Sequence, residues 1–262
     1  HPSGGAFGPK ALGTNFGRLL RLHPVYIDPD SSLAGGYMVN FNSYRKPRWN
    51  PDHDYPELKK LHEKYNLVPG IGAAQHFCQD LEIGLELGFG GLLEKIERHR
   101  ASASDEKQGF YDGLTAIVEG AQDWIGRHAD EAETMAQAED DPALAENLRE
   151  IAKMNRKLVS QPPATFREAN QWILWFDLMA RMYNGSGSLG KIDLLLYPYY
   201  ERDTRAGILT DEEATFHLAC LFLRDAAYMQ VGGPDASGED VTNPVSYLAL
   251  EATHLLRIPV NL

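Results

Sequence analysis

The stretch NGSGSLGKIDLLLYPYYERD, residues 184–203, carries the first decision about the fold. Its glycines invite a phosphate-cradling reading. A P-loop needs G-x-x-x-x-G-K-[ST] between a strand and a helix, so that backbone N–H groups face the phosphates and the hydroxyl reaches magnesium. Gly185, Gly190 and Lys191 fit the letters, but Ile192 stands where Ser or Thr belongs. The residues before the loop, PPATFREANQWILWFDLMARMY (162–183), read as a helix. Thr165 and Glu168 form a capping-box pattern ahead of an apolar run. Trp172, Trp175, Phe176 and Met179 are too bulky for an exposed face, so this helix is expected to be central. A helix in place of the strand excludes the P-loop. The loop reads instead as a helix end and a turn, leading into a short strand near Leu194–Tyr197.

Outward from that segment the chain is mostly helical, by hydrophobic spacing. Residues 109–139 and 142–159 form two long amphipathic patterns, the second with Pro142 in its first turn. Residues 78–99 place Leu81, Leu85, Phe89, Leu92, Leu93 and Ile96 at helical spacing. Gly84, Gly88 and Gly91 fall on one face there and predict close approach of another backbone. Thr210 and Glu213 open a nearly all-apolar helix, and Asn243 with Pro244 opens the last one. Further short strands are expected near Met229–Val231 and Ile258–Leu262. Residues 1–70 are rich in Gly, Pro, Asn and Asp and read as a loop-rich segment wrapped on the surface, with a short polar helix over Pro56–Tyr65.

Composition narrows the function classes. The 262 residues are 43% hydrophobic, enough for one large core or two small ones. The net charge of −12 argues against a nucleic-acid surface. Nothing approaches the run of about 18 apolar residues that a membrane span needs. Two cysteines, Cys78 and Cys220, do not make a disulfide framework and suit a reducing cytoplasm. The chain starts at His1, with no basic region followed by an apolar core, and it stops in an apolar LLRIPVNL. Both ends are expected to be cuts in a longer protein.

Three segments offer chemistry. His76 and Asp80, four apart, would share a helix face, either as a solvated pair at a helix start or as hydrogen-bonding groups for a substrate. Zinc would need further ligands, and none is apparent nearby. Asp235, Asp240 and Asn243 cluster oxygens that calcium could use, but the spacing does not fit an EF-hand, and a structural turn is favoured. Cys220 sits inside an apolar helix and reads as a core residue. No nucleophile elbow or Ser–His–Asp order is present.

Five motifs in one order change the reading. SLGKIDLLLYPYYERD (188–203), AGILTDEEATFHLACLFLR (206–224), VGGPDASGEDVTNPVSYLALEA (231–252), PPATFREANQWILWF (162–176) and HFCQDLEIGLELGFGGLLEKI (76–96) together resemble the pyruvate formate-lyase-like domain of glycyl radical enzymes. The likeness is strong over 71–262 and weaker before. It implies an α/β, mostly helical fold, about the first half of a ten-stranded α/β barrel surrounded by helices. The domains would be 1–70, an N-terminal wrapping segment, and 71–262, a half-barrel. It implies that Ser188 lines a substrate chamber, with Lys191 and Leu189 replacing the family's arginine and proline. A serine hydroxyl there would suit a substrate carboxylate or hydroxyl. His76 and Asp80 match positions that contact substrate in some members, and Asp193 would hold the strand entrance.

The resemblance further implies an anaerobic cytoplasmic lyase, a dehydratase, decarboxylase or related enzyme. In it a glycyl radical oxidises a cysteine to a thiyl, which abstracts a hydrogen from a small organic substrate. The partners implied are a radical S-adenosylmethionine activating enzyme, the C-terminal half of the enzyme, and further copies in a homo-oligomer. Neither cysteine lies in the family's G-C-x-E context, and no glycine lies in R-V-x-G-[YF]. No catalytic residue, metal or cofactor is therefore expected on this chain, which would supply chamber walls. The alternative is a non-catalytic truncated homologue acting as a binding or structural module.

Overall fold

In the computed structural model, residues 7–36, 56–66, 78–184, 188–225, 228–258 and 260 are described. Their helices are α1 (Pro9–Leu22), α2 (Pro56–Tyr65), α3 (Leu81–Ala101), α4 (Asp105–Ala138), α5 (Pro142–Leu158), α6 (Phe166–Asn184), α7 (Ile192–Arg205), α8 (Asp211–Arg224) and α9 (Pro244–Leu256). Two strands, β1 (Ser188–Lys191) and β2 (Tyr228–Gln230), pair in parallel.

Side-chain caps set four of the helix starts. Asp141 accepts from the backbone N–H groups of Ala143 and Leu144, with Pro142 at the first helical position of α5. Thr165 Oγ1 accepts from Glu168 N, and the Glu168 carboxylate accepts from Thr165 N, closing the capping box of α6. Thr210 and Glu213 do the same for α8. Asn243 caps α9 through Val245 N at 2.9 Å.

Helix α6 is the hub. It contacts α3, α5, α7, α8 and β1, and Trp172, Trp175, Ile173 and Leu174 on it are fully buried. The Trp175 ring meets Trp124 of α4 edge-on at 4.9 Å, and its indole N–H donates to Asn155 Oδ1 at 2.7 Å. A buried indole needs such an acceptor.

The N-terminal segment departs from the expected surface loop. Helix α1 crosses α4 at glycines: a Cβ on Gly13 would stand 2.3 Å from Gly113 O. Phe16 and Leu20 of α1 are buried beside this crossing. Residues 23–36 then run as an irregular strap whose middle, Ser31 to Gly35, is buried. Buried backbone groups need partners, and helix side chains supply them. Tyr26 N donates to His128 Nε2 at 3.0 Å. Gln171 both accepts from Ala34 N (2.7 Å) and donates to Ala34 O (3.0 Å). Asn147 Nδ2 donates to Pro29 O and Ser31 O, and Arg167 Nε to Ser32 O.

Two further expectations need correction. The strand lies at Ser188–Lys191, and 194–197 is helical. Ile192, Leu196 and Asp203 share a buried helical face, and Asp203 Oδ2 accepts from Phe166 N at the start of α6. Pairs four residues apart, Tyr197 with Glu201 and Glu201 with Arg205, add support. These outweigh the strand preference of an aromatic run and the cost of Pro198 inside the helix. On α3, Gly84 faces the Trp172 ring, not a backbone, and Gly91 meets Leu87 of its own helix. Gly88 and Gly90 make the backbone approaches. Gly88 breaks the helix at φ +63° against Gln161, and Gly90 N donates to Ser160 O at 2.8 Å. The strand expected at 229–231 is found at 228–230. Of the one expected at 258–262, only Ile258 and Val260 are described, neither in a strand.

Candidate functional site

The two strands end in a cleft. Ser188 pairs with Tyr228 across the sheet, and Cys78 forms an isolated parallel bridge with Ser188 on the other side. Among the described residues, Cys78, Ser188, Gly190, Lys191, Tyr228, Met229 and Gln230 line an open cleft of about 660 Å³.

Gly190 makes this junction possible. Its φ is +62°, and a Cβ there would stand 2.2 Å from Cys78 Sγ. Only glycine takes this conformation without strain and leaves the thiol its place. The irregular register between Ser188 and Gly190 follows from the same turn.

Ser188 is half-buried. Its hydroxyl donates to Tyr228 O at 2.9 Å and accepts from Gly190 N at 3.3 Å. The single hydroxyl proton is committed to the sheet, which leaves one lone pair. Lys191 Nζ donates to Pro234 O at 2.8 Å, which pins the next loop beside the cleft. Cys78 Sγ points toward Gln79 O at 3.6 Å. Burial, and then the charge of Asp80, push its thiol above the usual cysteine value. It is therefore protonated near neutral pH and a poor nucleophile.

Asp80 is exposed and stands at the N-cap of α3 without a side-chain capping bond. It is not among the cleft-lining residues. The helix starts only at Leu81, so the premise that His76 and Asp80 share a helix face is corrected; Cys78 is bridged as extended chain instead. His76 lies outside the described residues. Cys78 and Tyr228 were not singled out by the sequence as cleft residues. Cys78 sits 110 positions from Ser188, and only its place inside the HFCQD motif hinted at the neighbourhood.

Behind the cleft, Asp193 is fully buried. Its Oδ1 accepts from Leu194 N at 2.9 Å, and its Oδ2 accepts from Gly232 N at 2.6 Å and from the Ser246 hydroxyl. One carboxylate thus ties β1 and α7 to the loop after β2 and to α9. Asp235 accepts from Ser237 N, Ser237 Oγ and Glu239 N, and Asp240 from Thr242 N and Oγ1. These bonds hold both carboxyls below the usual range. Their oxygens build a turn, and no cluster of three metal-ligating side chains exists among the described residues.

The sequence profile of the family described as Pyruvate formate lyase-like matches residues 60–260. The chain belongs to this family. It is 28% identical over 218 residues to an isethionate sulfite-lyase of Bilophila wadsworthia, covering 71% of this chain and 26% of that protein. It is 23% identical over 289 residues to the 4-hydroxyphenylacetate decarboxylase glycyl radical subunit of Clostridioides difficile, covering 95% and 31%. The chain thus spans under a third of the length of these relatives. In fold it matches a glycyl radical enzyme from Archaeoglobus fulgidus, with a TM-score of 0.82 at 21% identity over 98% of this chain and 43% of the other. A Clostridioides difficile hydroxyproline dehydratase with trans-4-hydroxy-L-proline bound gives a TM-score of 0.82 at 18% identity, covering 98% and 42%. These relatives make the family one of glycyl radical lyases.

Proposed function

We propose that this chain is the first half-barrel of a glycyl radical lyase acting on a small organic substrate, and that its cleft is one wall of the substrate chamber. The domain division is 1–70 and 71–262. The observation that carries this reading is the cleft at Cys78, Ser188 and Tyr228, formed by the family's own loop and by the N-terminal end of the next strand. The radical glycine and the thiyl-forming cysteine have no counterpart here: Cys78 and Cys220 lack the G-C-x-E context, and no glycine lies in R-V-x-G-[YF]. No step of the radical chemistry is assigned to residues of this chain.

What the chain contributes is binding and exclusion of water. Ser188 is a substrate contact that accepts, because its proton is held by Tyr228 O. The substrate group it meets is then a hydroxyl or an ammonium, not a carboxylate. Cys78 and Met229 give the wall an apolar, polarisable surface. His76 and Asp80 contact the substrate from the segment before α3. The remaining C-terminal half, a radical S-adenosylmethionine activating enzyme and a homo-oligomeric cytoplasmic assembly complete the enzyme. Asp193 supports the same reading as a positioning residue beneath the loop.

The test uses the full reading frame that contains this sequence. It is activated anaerobically with a competent activating enzyme and assayed against hydroxylated sulfonates, hydroxy acids, amino acids and diols. A glycyl radical signal in electron paramagnetic resonance together with turnover of one class supports the reading. A folded product that gains no radical and turns over none of them overturns it, in favour of a non-catalytic homologue.

A further inference from the structure

We infer that Asp177 and Asp225 hold one proton between them, and that this shared proton ties the junction of α8 and β2 to the central helix α6. Asp177 lies on α6 and is fully buried; Asp225, the C-cap of α8, is 4% exposed. Neither oxygen of Asp177 meets an N–H or a hydroxyl donor. The acid beside it is Asp225, which the Arg181 contact one turn along α6 brings to the same side of the helix. Two carboxylates are acceptors only and cannot bond each other. A protonated carboxyl and a carboxylate can, with the single proton as the bond.

Charge counting gives the same result. Among the described residues, the charged groups acting on Asp177 are Asp225, at the end of α8, and Arg181, one turn along α6. Arg181 Nε lies 2.8 Å from Asp225 Oδ2, yet neither atom completes an aligned hydrogen bond, so the contact is an ion pair only. One cation balances one of two buried acids, and the other is neutral when it carries a proton. Burial first, then the bond and charge of Asp225, push the Asp177 carboxyl well above the usual carboxylate range, against the opposing pull of Arg181. A metal ion in the same place would need a third ligand, and the described residues offer no such cluster.

The position gives the pair its role. Asp225 stands three residues before Tyr228, the first residue of β2, whose carbonyl receives the Ser188 hydroxyl. The acid pair therefore anchors the chain just ahead of the cleft wall. This role holds whether or not the cleft serves a lyase.

The sign of the pH dependence follows. The folded state keeps a proton that the unfolded chain releases in the ordinary carboxylate range. Stability from this pair is present at low pH and is lost as pH rises toward the raised value of Asp177. Asn at 177 supplies a permanent donor and removes the titration. The decisive experiment is infrared spectroscopy of the wild-type chain in D2O at neutral pH, paired with urea unfolding of wild type and Asp177→Asn from about pH 5 to 8. The expected results are a protonated-carboxyl C=O stretch in the wild type that is lost in the variant, and a wild-type unfolding midpoint that falls relative to the variant as pH rises. If Asp177→Asn does not fold, the wild-type spectrum alone decides. A wild type with no protonated carboxyl at neutral pH overturns the inference, as do midpoint curves that stay parallel across the range.

Discussion

Lowering the pH from 7 to 5 should loosen the strap over residues 23–36 before it disturbs the helices around it. Two buried histidines hold that strap. His128 accepts from Tyr26 N at Nε2 and donates from Nδ1 to Trp124 O at 2.8 Å, which makes it a neutral tautomer. His217 Nδ1 is 2.9 Å from Ser32 Oγ. Burial, aided by Arg127, lowers His128 to about 4. Burial and then Arg167 lower His217 to about 3. The unfolded value is about 6.5. The unfolded chain therefore binds the extra protons first, and stability is full above that value and is lost as pH falls below it. From pH 6.5 to 5 each histidine loses about 1.5 units, or about 2 kcal/mol, and both together about 4 kcal/mol. That is a large part of a typical domain stability of about 5–15 kcal/mol. The assay is the urea midpoint at pH 7 and pH 5, for wild type and for a variant with His128→Gln and His217→Gln, in which each glutamine can still accept the bond. Hydrogen exchange of the Tyr26 and Ser32 amides reports the strap directly. The wild type should lose about 4 kcal/mol relative to the variant over this range. Equal losses in the two proteins, with both amides still protected at pH 5, would refute the reasoning.

Three other outcomes follow from single contacts. Gly190→Ala should destabilise the chain by at least about 1–2 kcal/mol from the left-handed backbone alone, with the Cys78 clash in addition; a double-mutant cycle with Cys78→Ala should recover the clash but not the backbone part. Asp193→Ala removes the acceptor of Leu194 N, Gly232 N and Ser246 Oγ. It should cost about 3 kcal/mol or more, read by thermal unfolding, and a loss under about 1 kcal/mol would mean the carboxylate does not join β1 to α9. Ser188→Ala in the full-length enzyme should lower kcat/KM about ten-fold, as expected for one hydrogen bond, while radical yield stays normal; unchanged kcat/KM would remove Ser188 from the chamber wall.

What was legible in the sequence was local. Thr165 with Glu168, Thr210 with Glu213, and Asn243 with Pro244 each announce a helix start within four residues, and each cap is made as read. That Asp193 is structural was also readable from the motif around it, but it was expected at a strand entrance, and its bonds to Gly232 and Ser246 from inside α7 were not. The strand position was not. Tyr-Pro-Tyr-Tyr has strand-forming residues, and its helix depends on Asp203 reaching Phe166 N, a contact 37 residues distant. Helix α1 was hidden by Gly13 and Gly17, which look like breakers until α4 brings Gly113 against the first and Ala116 against the second. The strap resembled a surface loop because its partners, His128, Gln171 and His217, lie more than 100 residues away. The cleft was half legible: the motif pointed to Ser188, but Cys78 joins it through a backbone bridge that no local pattern encodes.

The central claim, that this cleft is a substrate wall, is tested most directly by alkylation of Cys78 in the full-length enzyme. Cys78 is exposed and Cys220 is buried, so of the two only Cys78 is open to iodoacetamide. Its rate of modification is measured by mass spectrometry at mildly alkaline pH, where more of the raised thiol ionises, with and without saturating substrate, and turnover and radical content are assayed in enzyme modified at Cys78 with the thiyl-forming cysteine intact. The account predicts slower modification in the presence of substrate, and loss of turnover with the glycyl radical intact once Cys78 is alkylated. Equal rates with and without substrate, and a modified enzyme that turns over normally, would contradict it.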